Sequence, residues 1–293
     1  MFEEFRNAFQ KPNNAHVQLI IINVAVFLVI GFLYVVSTVS GTKAFFDVLH
    51  DQFTIPPLLT DFVTRPWTII TYAFMHSFDI FHILFNMLAL YWFGKLFIEY
   101  LGSDKLVAIY LLGALAAGVV YLLFFNTIPF FKERSGFDGM VGASGAVFAV
   151  MVAAATLLPN YTFFLLFLGP VRIKYIAAFY IVVSFLGTVG SNAGGNIAHL
   201  GGALMGFVYI KQLQIGVNWG GWITSTLDWC KGLFSPRPKV KVTYRKAEPK
   251  KSSSNFSKAS QEEIDVILDK ISDRGYESLT KDEKEKLFNA SKK

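Results

Sequence analysis

Several apolar runs in this chain are each close to the length a helix needs to cross a bilayer, and they restrict the fold more than any motif does. Hydrocarbon offers backbone N–H and C=O groups no partner, so a crossing segment must pair them internally, as a helix does. Roughly 20 apolar residues make such a helix. Candidate runs fall at about 17–38, 80–98, 105–125, 140–158, 171–188 and 196–213. The expected fold is therefore an all-α polytopic membrane protein with six spans. Composition agrees: 53% of residues are hydrophobic and 16% charged, against about a quarter charged in soluble domains, and mean hydropathy is +0.45. No stretch has the form of a cleavable signal peptide, so Val17 to Ser37 reads as a retained span.

Charge is unevenly placed. Residues 1–230 carry 11 Lys+Arg and 11 Asp+Glu, whereas residues 231–293 carry 16 and 10. The basic excess belongs to a tail, which argues against a nucleic-acid-binding groove. In a membrane protein it biases topology, and an even span count with a basic tail places both termini on the cytoplasmic side. Cys230 is the only cysteine, which excludes an internal disulfide and a thiolate metal cluster.

The connection over 39–79 is too apolar for a free linker, yet Asp51, Pro56, Pro57, Asp61 and Arg65 interrupt it. It reads as a long amphipathic insert at the membrane interface, with Trp67 as an interfacial ring. Residues 1–230 then form a membrane domain, and residues 231–258 a basic Lys/Ser-rich linker. Residues 259–293 form a small helical hairpin on the cytoplasmic side. Capping-box patterns at Ser260–Glu263 and Thr280–Glu283 mark its two helix starts. That hairpin is too short to bury a core, so it is expected to dock on a partner or on a second copy of itself.

Polar residues inside such spans need a reason. Spans two, four and six run in the same direction, and each carries a polar group near its start: His82 and Asn86, Ser144, and His199. Parallel helices bring these groups to one depth. A serine becomes nucleophilic when a base accepts its proton, which neutral imidazole does near physiological pH. Ser144 is thus a candidate nucleophile and His199 a candidate general base and acid. Asn86, His82 and the Ser144 backbone N–H are candidate oxyanion donors. Gly142 and Gly145 permit a tight turn and close approach of a peptide, and Gly202 belongs to a small-residue surface that lets helices touch. With no carboxylate inside these spans, the pattern is a Ser–His dyad, with the Phe148 ring placed one turn on to steady the imidazole. Taken singly, Ser144 could simply bond its own helix backbone, and His82 could simply pack. His76 suits a structural part in the connection, and His16 and His50 read as solvated. A metal site built on His76, His82 and His199 lacks an HExxH motif and an embedded carboxylate.

Arg65-Pro66-Trp67-Thr68, His76, and His82-Ile83-Leu84-Phe85-Asn86-Met87-Leu88 resemble the first loop and second helix of rhomboid intramembrane serine proteases. Gly142-Ala143-Ser144-Gly145-Ala146 is similar to their GxSG motif, and Ala198-His199-Leu200-Gly201-Gly202-Ala203-Leu204-Met205-Gly206 to their AHxxGxxxG helix. The resemblance covers residues 17–213 and implies a six-helix bundle that cuts transmembrane proteins through an acyl-enzyme. It assigns Ser144 as nucleophile, His199 as base, and His82 and Asn86 to the oxyanion, with no metal and no cofactor. Implied partners are single-span or other transmembrane substrates and membrane lipid. The tail is similar to an appendage on some bacterial rhomboids, and the expected location is a bacterial inner membrane. A proteolytically silent relative that binds membrane helices is the alternative.

Overall fold

The computed structural model describes residues 6–10, 13–133, 139–165, 168–234 and 261–291. Most of the 231–258 linker, the first capping box at Ser260, and the charged residues Lys11, Arg134 and Asp138 lie outside the described residues. The chain divides into two compact units, Met1–Arg237 and Pro238–Lys293.

In the first unit, α1 (Ala15–Val39) leads into a connection holding α2 (Lys43–Asp51), α3 (Leu59–Phe62) and α4 (Thr68–Thr71). Two long helices follow, α5 (Ile80–Leu101) and α6 (Ser103–Thr127), then the short α7 (Pro129–Lys132) and α8 (Ser144–Leu157). A two-stranded antiparallel hairpin, β1 (Thr162–Leu165) and β2 (Gly169–Arg172), precedes α9 (Ile173–Gly187), α10 (Ala193–Gln214) and α11 (Gly221–Phe234). The hairpin departs from the all-α expectation. It lies mainly between the runs read as spans four and five, overlapping the latter only at 171–172, and Gly169 and Pro170 there oppose a helix and favour a turn.

Among the described residues, three helices, α1, α5 and α6, are long and apolar enough to cross a membrane. The expected count of six is not reached on length and hydropathy. The α8 helix has 14 residues and α9 has 15, or roughly 21–23 Å against a hydrocarbon core of about 30 Å. α8 begins at Ser144 and not at 140, because residues 140–143 are held in irregular backbone by the connection. Met140 and Ile55 exchange backbone hydrogen bonds at 2.9 and 3.1 Å, and the Gly142 N–H donates to the Tyr72 carbonyl at 3.0 Å. Such backbone tolerates depth only where protein surrounds it, and Gly142 and Ala143 are buried.

The connection is fastened in turn. The Tyr72 hydroxyl donates to the Ala114 carbonyl at 2.7 Å, and the Tyr110 hydroxyl to the Ala73 carbonyl at 2.9 Å. Asn23, fully buried on α1, donates to the Tyr110 oxygen at 3.1 Å. His16 departs from its reading as solvated: it is buried, with its ring 5.6 Å from that of Tyr91. Nearby, Trp67 donates to the Gln52 carbonyl at 2.8 Å.

α6, α8 and α10 meet in the centre of the unit through small residues. A Cβ added at Gly202 on α10 would strike the Gly145 carbonyl of α8, and one at Gly206 would strike that of Ala149. Hydrogen at these positions is what lets the two backbones touch.

In the second unit, α12 (Gln261–Arg274) and α13 (Lys281–Ala290) form a helical hairpin. The Thr280 side chain and Glu283 complete a capping box at α13. Lys270 donates to Glu283 at 2.9 Å, and this bond, with the Thr280 backbone, holds the Glu283 carboxyl down at about 2.

Gly202→Ala is expected to lower unfolding stability by about 1–3 kcal/mol, because the clash is with main chain that cannot rotate away. Gly232→Ala, which meets open space, should be neutral. Denaturant unfolding of both variants in detergent micelles measures the difference.

Candidate active site

Ser144 is the first residue of α8. Its position there follows from Gly142, whose φ of +138° suits a residue without a side chain and turns the chain into the helix. At a helix start the Ser144 backbone N–H has no intrahelical acceptor and remains available. His82 and Asn86 lie one turn apart on α5, whose N-cap is Asp79, accepting from the Phe81 N–H at 2.9 Å. His199 sits in the second turn of α10.

These residues converge. A cavity of about 360 Å³ is lined by Ser144, His199, His82, Asn86, Phe148 and Tyr180, among others. A larger one of about 870 Å³ shares Ser144, His82, Asp79 and Asn192 with it, and is otherwise lined largely by residues 189–195 and 139–141. The Phe148 ring lies flat on His199, with centroids 4.2 Å apart and planes 9° from parallel. Asn86 is buried, and its amide donates to the His82 carbonyl at 2.8 Å. That leaves its second N–H uncommitted by this bond. Gly142 lies beside both the Ser144 hydroxyl and the His82 ring: a Cβ on it would stand 3.4 Å from Ser144 Oγ and 3.5 Å from His82 Nε2. Gly145 and Gly202 supply the helix contact described above. No hydrogen bond joins Ser144 to His199 among the described residues; in resting sites such bonds are often long and tighten when substrate binds.

Two further residues had not stood out in the sequence. The Ser77 hydroxyl meets His82 Nδ1 at 2.7 Å, and the Ser184 hydroxyl of α9 meets His199 Nδ1 at 3.1 Å. Ser184 had a signal: it interrupts an otherwise apolar run, Ile181-Val182-Val183-Ser184-Phe185-Leu186. Ser77 had none, being a serine in a polar turn.

His76 is buried beside the site, its ring 5.7 Å from that of His82 and 6.5 Å from that of Phe27. Neither ring nitrogen makes a hydrogen bond of standard geometry. Burial first, and then neighbouring His82, push its pKa down to about 4, only partly opposed by the Phe74 backbone. Among the described residues, no three His, Cys, Asp or Glu side chains gather in a metal-holding group.

Fold and site together define a helical protein with membrane-length segments and a Ser–His cavity among them. Residues 63–214 match the Rhomboid domain family, and the chain belongs to that family. Residues 255–293 match a family of unknown function (DUF6576). The chain is 36% identical over 162 residues to RHOMBOID-like protein 12, mitochondrial, of Arabidopsis thaliana, covering 52% of this chain and 48% of that protein. It is 34% identical over 161 residues to Rhomboid protein 1, mitochondrial, of Saccharomyces cerevisiae, covering 52% and 43%. It is 33% identical over 144 residues to the Presenilin-associated rhomboid-like protein, mitochondrial, of Mus musculus, covering 47% and 36%. The match thus spans less than half the length of these relatives. They overturn the expected bacterial inner membrane, because they are mitochondrial proteins of a plant, a yeast and a mammal. Nor does the tail's family support a specifically bacterial appendage.

His76 yields a pH dependence. Its folded pKa lies below the ordinary 6.5, so the unfolded chain binds more protons between pH 6.5 and about 4. The stability of the buried neutral ring is full above that window and is lost as pH falls through it. The loss reaches up to about 3 kcal/mol. His76→Phe should flatten the wild-type slope in unfolding measured at pH 7, 5.5 and 4.5.

Proposed function

We propose that this chain is an intramembrane serine endopeptidase that hydrolyses peptide bonds in or near transmembrane segments. The observation that carries this reading is the shared cavity lined by both Ser144 and His199, whose imidazole stacks on Phe148. Ser144 Oγ attacks the scissile carbonyl carbon while His199 takes its proton. The oxyanion is met by Asn86, His82 and the Ser144 backbone N–H. Collapse of the tetrahedral intermediate expels the amine, which takes the proton from His199. Water, deprotonated by His199, then attacks the acyl carbon, and the departing Ser144 Oγ takes that proton back from His199 as the carboxylic acid is released. Gly142 and Gly145 shape the entrance beside Ser144, and Gly202 holds the base helix against the nucleophile helix.

In this reading the two shorter helices α8 and α9 complete, with α1, α5, α6 and α10, a six-helix bundle with an interfacial first loop. Residues 1–230 form its membrane domain and residues 231–258 the linker. Substrates are single-span or other transmembrane proteins, reached within lipid. Residues 259–293 dock on a partner or on a second copy of the chain. The second reading, a silent relative that binds membrane helices, draws on the missing Ser144–His199 hydrogen bond.

Ser144→Ala is expected to abolish cleavage of a single-span substrate in liposomes while leaving the protein folded, and to abolish labelling by a fluorophosphonate. A substrate cut equally well by Ser144→Ala would remove the mechanism. Wild-type protein that neither cuts nor labels would favour the silent reading. Asn86→Ala should retain activity about 100-fold below wild type, since one oxyanion donor contributes on the order of 3 kcal/mol. Turnover measured on the same substrate checks it.

A further inference from the structure

The α9 helix turns a narrow stripe inward. Its buried residues are Ile173, Ala177 and Ser184, while Phe179, Val182, Val183, Phe185 and Leu186 are exposed. Ser184 is therefore the one polar side chain that α9 buries, at 2% exposure. A hydroxyl so placed needs a hydrogen-bond partner, and it has one in His199 Nδ1 at 3.1 Å.

The two contacts made by the His199 ring do different things. Stacking on Phe148 at 9° fixes the plane of the imidazole but leaves it able to turn within that plane. It also does not distinguish the two neutral tautomers. A hydrogen bond at Nδ1 lies in the ring plane and removes the first freedom, and it selects a tautomer according to which partner donates. When the hydroxyl accepts from Nδ1–H, the proton resides on Nδ1 and Nε2 keeps its lone pair. The opposite tautomer would put the proton on Nε2 and leave no base for Ser144.

Resting on the protease reading above, we infer that Ser184 is a positioning residue for His199. It accepts Nδ1–H, and so holds the imidazole in the tautomer and rotation that present Nε2 to Ser144. It takes the place that a carboxylate occupies in triad proteases and makes the proposed site a Ser144–His199–Ser184 relay of position, with no proton passing to Ser184.

The test compares wild type, Ser184→Ala, Ser184→Thr and Ser144→Ala in liposomes, with a single-span substrate and with a fluorophosphonate. Ser184→Ala is expected to lower kcat about tenfold with KM within twofold, and to slow labelling of Ser144 in parallel. Its unfolding midpoint should stay at the wild-type value, because alanine fits wherever serine does. Ser184→Thr keeps the hydroxyl and should recover most of the lost kcat. Three results would overturn the inference. One is a Ser184→Ala kcat within twofold of wild type. Another is a loss in Ser184→Ala that Ser184→Thr does not recover, or that tracks a fallen unfolding midpoint, which would make Ser184 a packing residue. The last is an increase in kcat, which would place the resting proton on Nε2. Wild-type protein that neither cuts nor labels fails the protease reading itself, a result distinct from these.

Discussion

Backbone-to-backbone contact between α8 and α10 is the constraint on which the site rests. Gly145 carries its carbonyl directly beneath Gly202, and the carbonyl of Ala149 lies beneath Gly206. Ser144 immediately precedes the first of these contacts, and His199 lies three residues before Gly202. Their separation is therefore set by main chain, whose position no rotamer can change. Lipid supplies little apolar drive for helix association, so contact of this kind is the main attraction available inside a bilayer. The same contact that stabilises the bundle also sets the register of Ser144 against His199.

The first connection contributes the other half of that registration. Tyr72 receives the Gly142 N–H and donates to α6, and Ile55 pairs with Met140. The entry to α8 is consequently held by chain that lies about seventy residues or more earlier. This explains why α8 starts at Ser144: the preceding residues have given their hydrogen bonds to the connection and cannot extend the helix.

What could be read in the sequence, and what could not, divides along these lines. The meeting of Ser144 and His199 at one cavity, and the close approach at Gly145 and Gly202, were legible because spans running in the same direction bring polar groups near their starts to one depth and small residues let helices touch. The stacking of Phe148 was legible from its one-turn offset. The β-hairpin at 162–172 was not, since a run of Tyr, Thr, Phe and Leu has no period that separates a short strand from an apolar helix. His16 was misread because it stands at the edge of its run, where sequence cannot say whether a neighbouring helix covers it. Ser184 was missed for a related reason. It interrupts an apolar run, but its contact with His199 depends on which face of α9 turns inward, which the otherwise apolar run does not reveal.

On the protease reading, the choice of a serine beside His199 has a physical logic in this setting. An imidazole needs an in-plane acceptor at Nδ1 if its other nitrogen is to serve as a base. A carboxylate would supply the strongest acceptor, but burying its charge among apolar helices costs several kcal/mol before any gain from pairing. A hydroxyl supplies the same directional bond with a far smaller desolvation penalty. It is also short enough to be carried on a helix that otherwise faces outward. Ser184 meets that need for His199 from a helix; Ser77 at His82 would have the opposite part, because an oxyanion donor keeps its proton on Nε2 and accepts at Nδ1. The weaker acceptor stabilises an imidazolium less than a carboxylate would, so precise orientation has to carry more of the task. The flat Phe148 ring and the immobile α8–α10 contact are where this fold provides it.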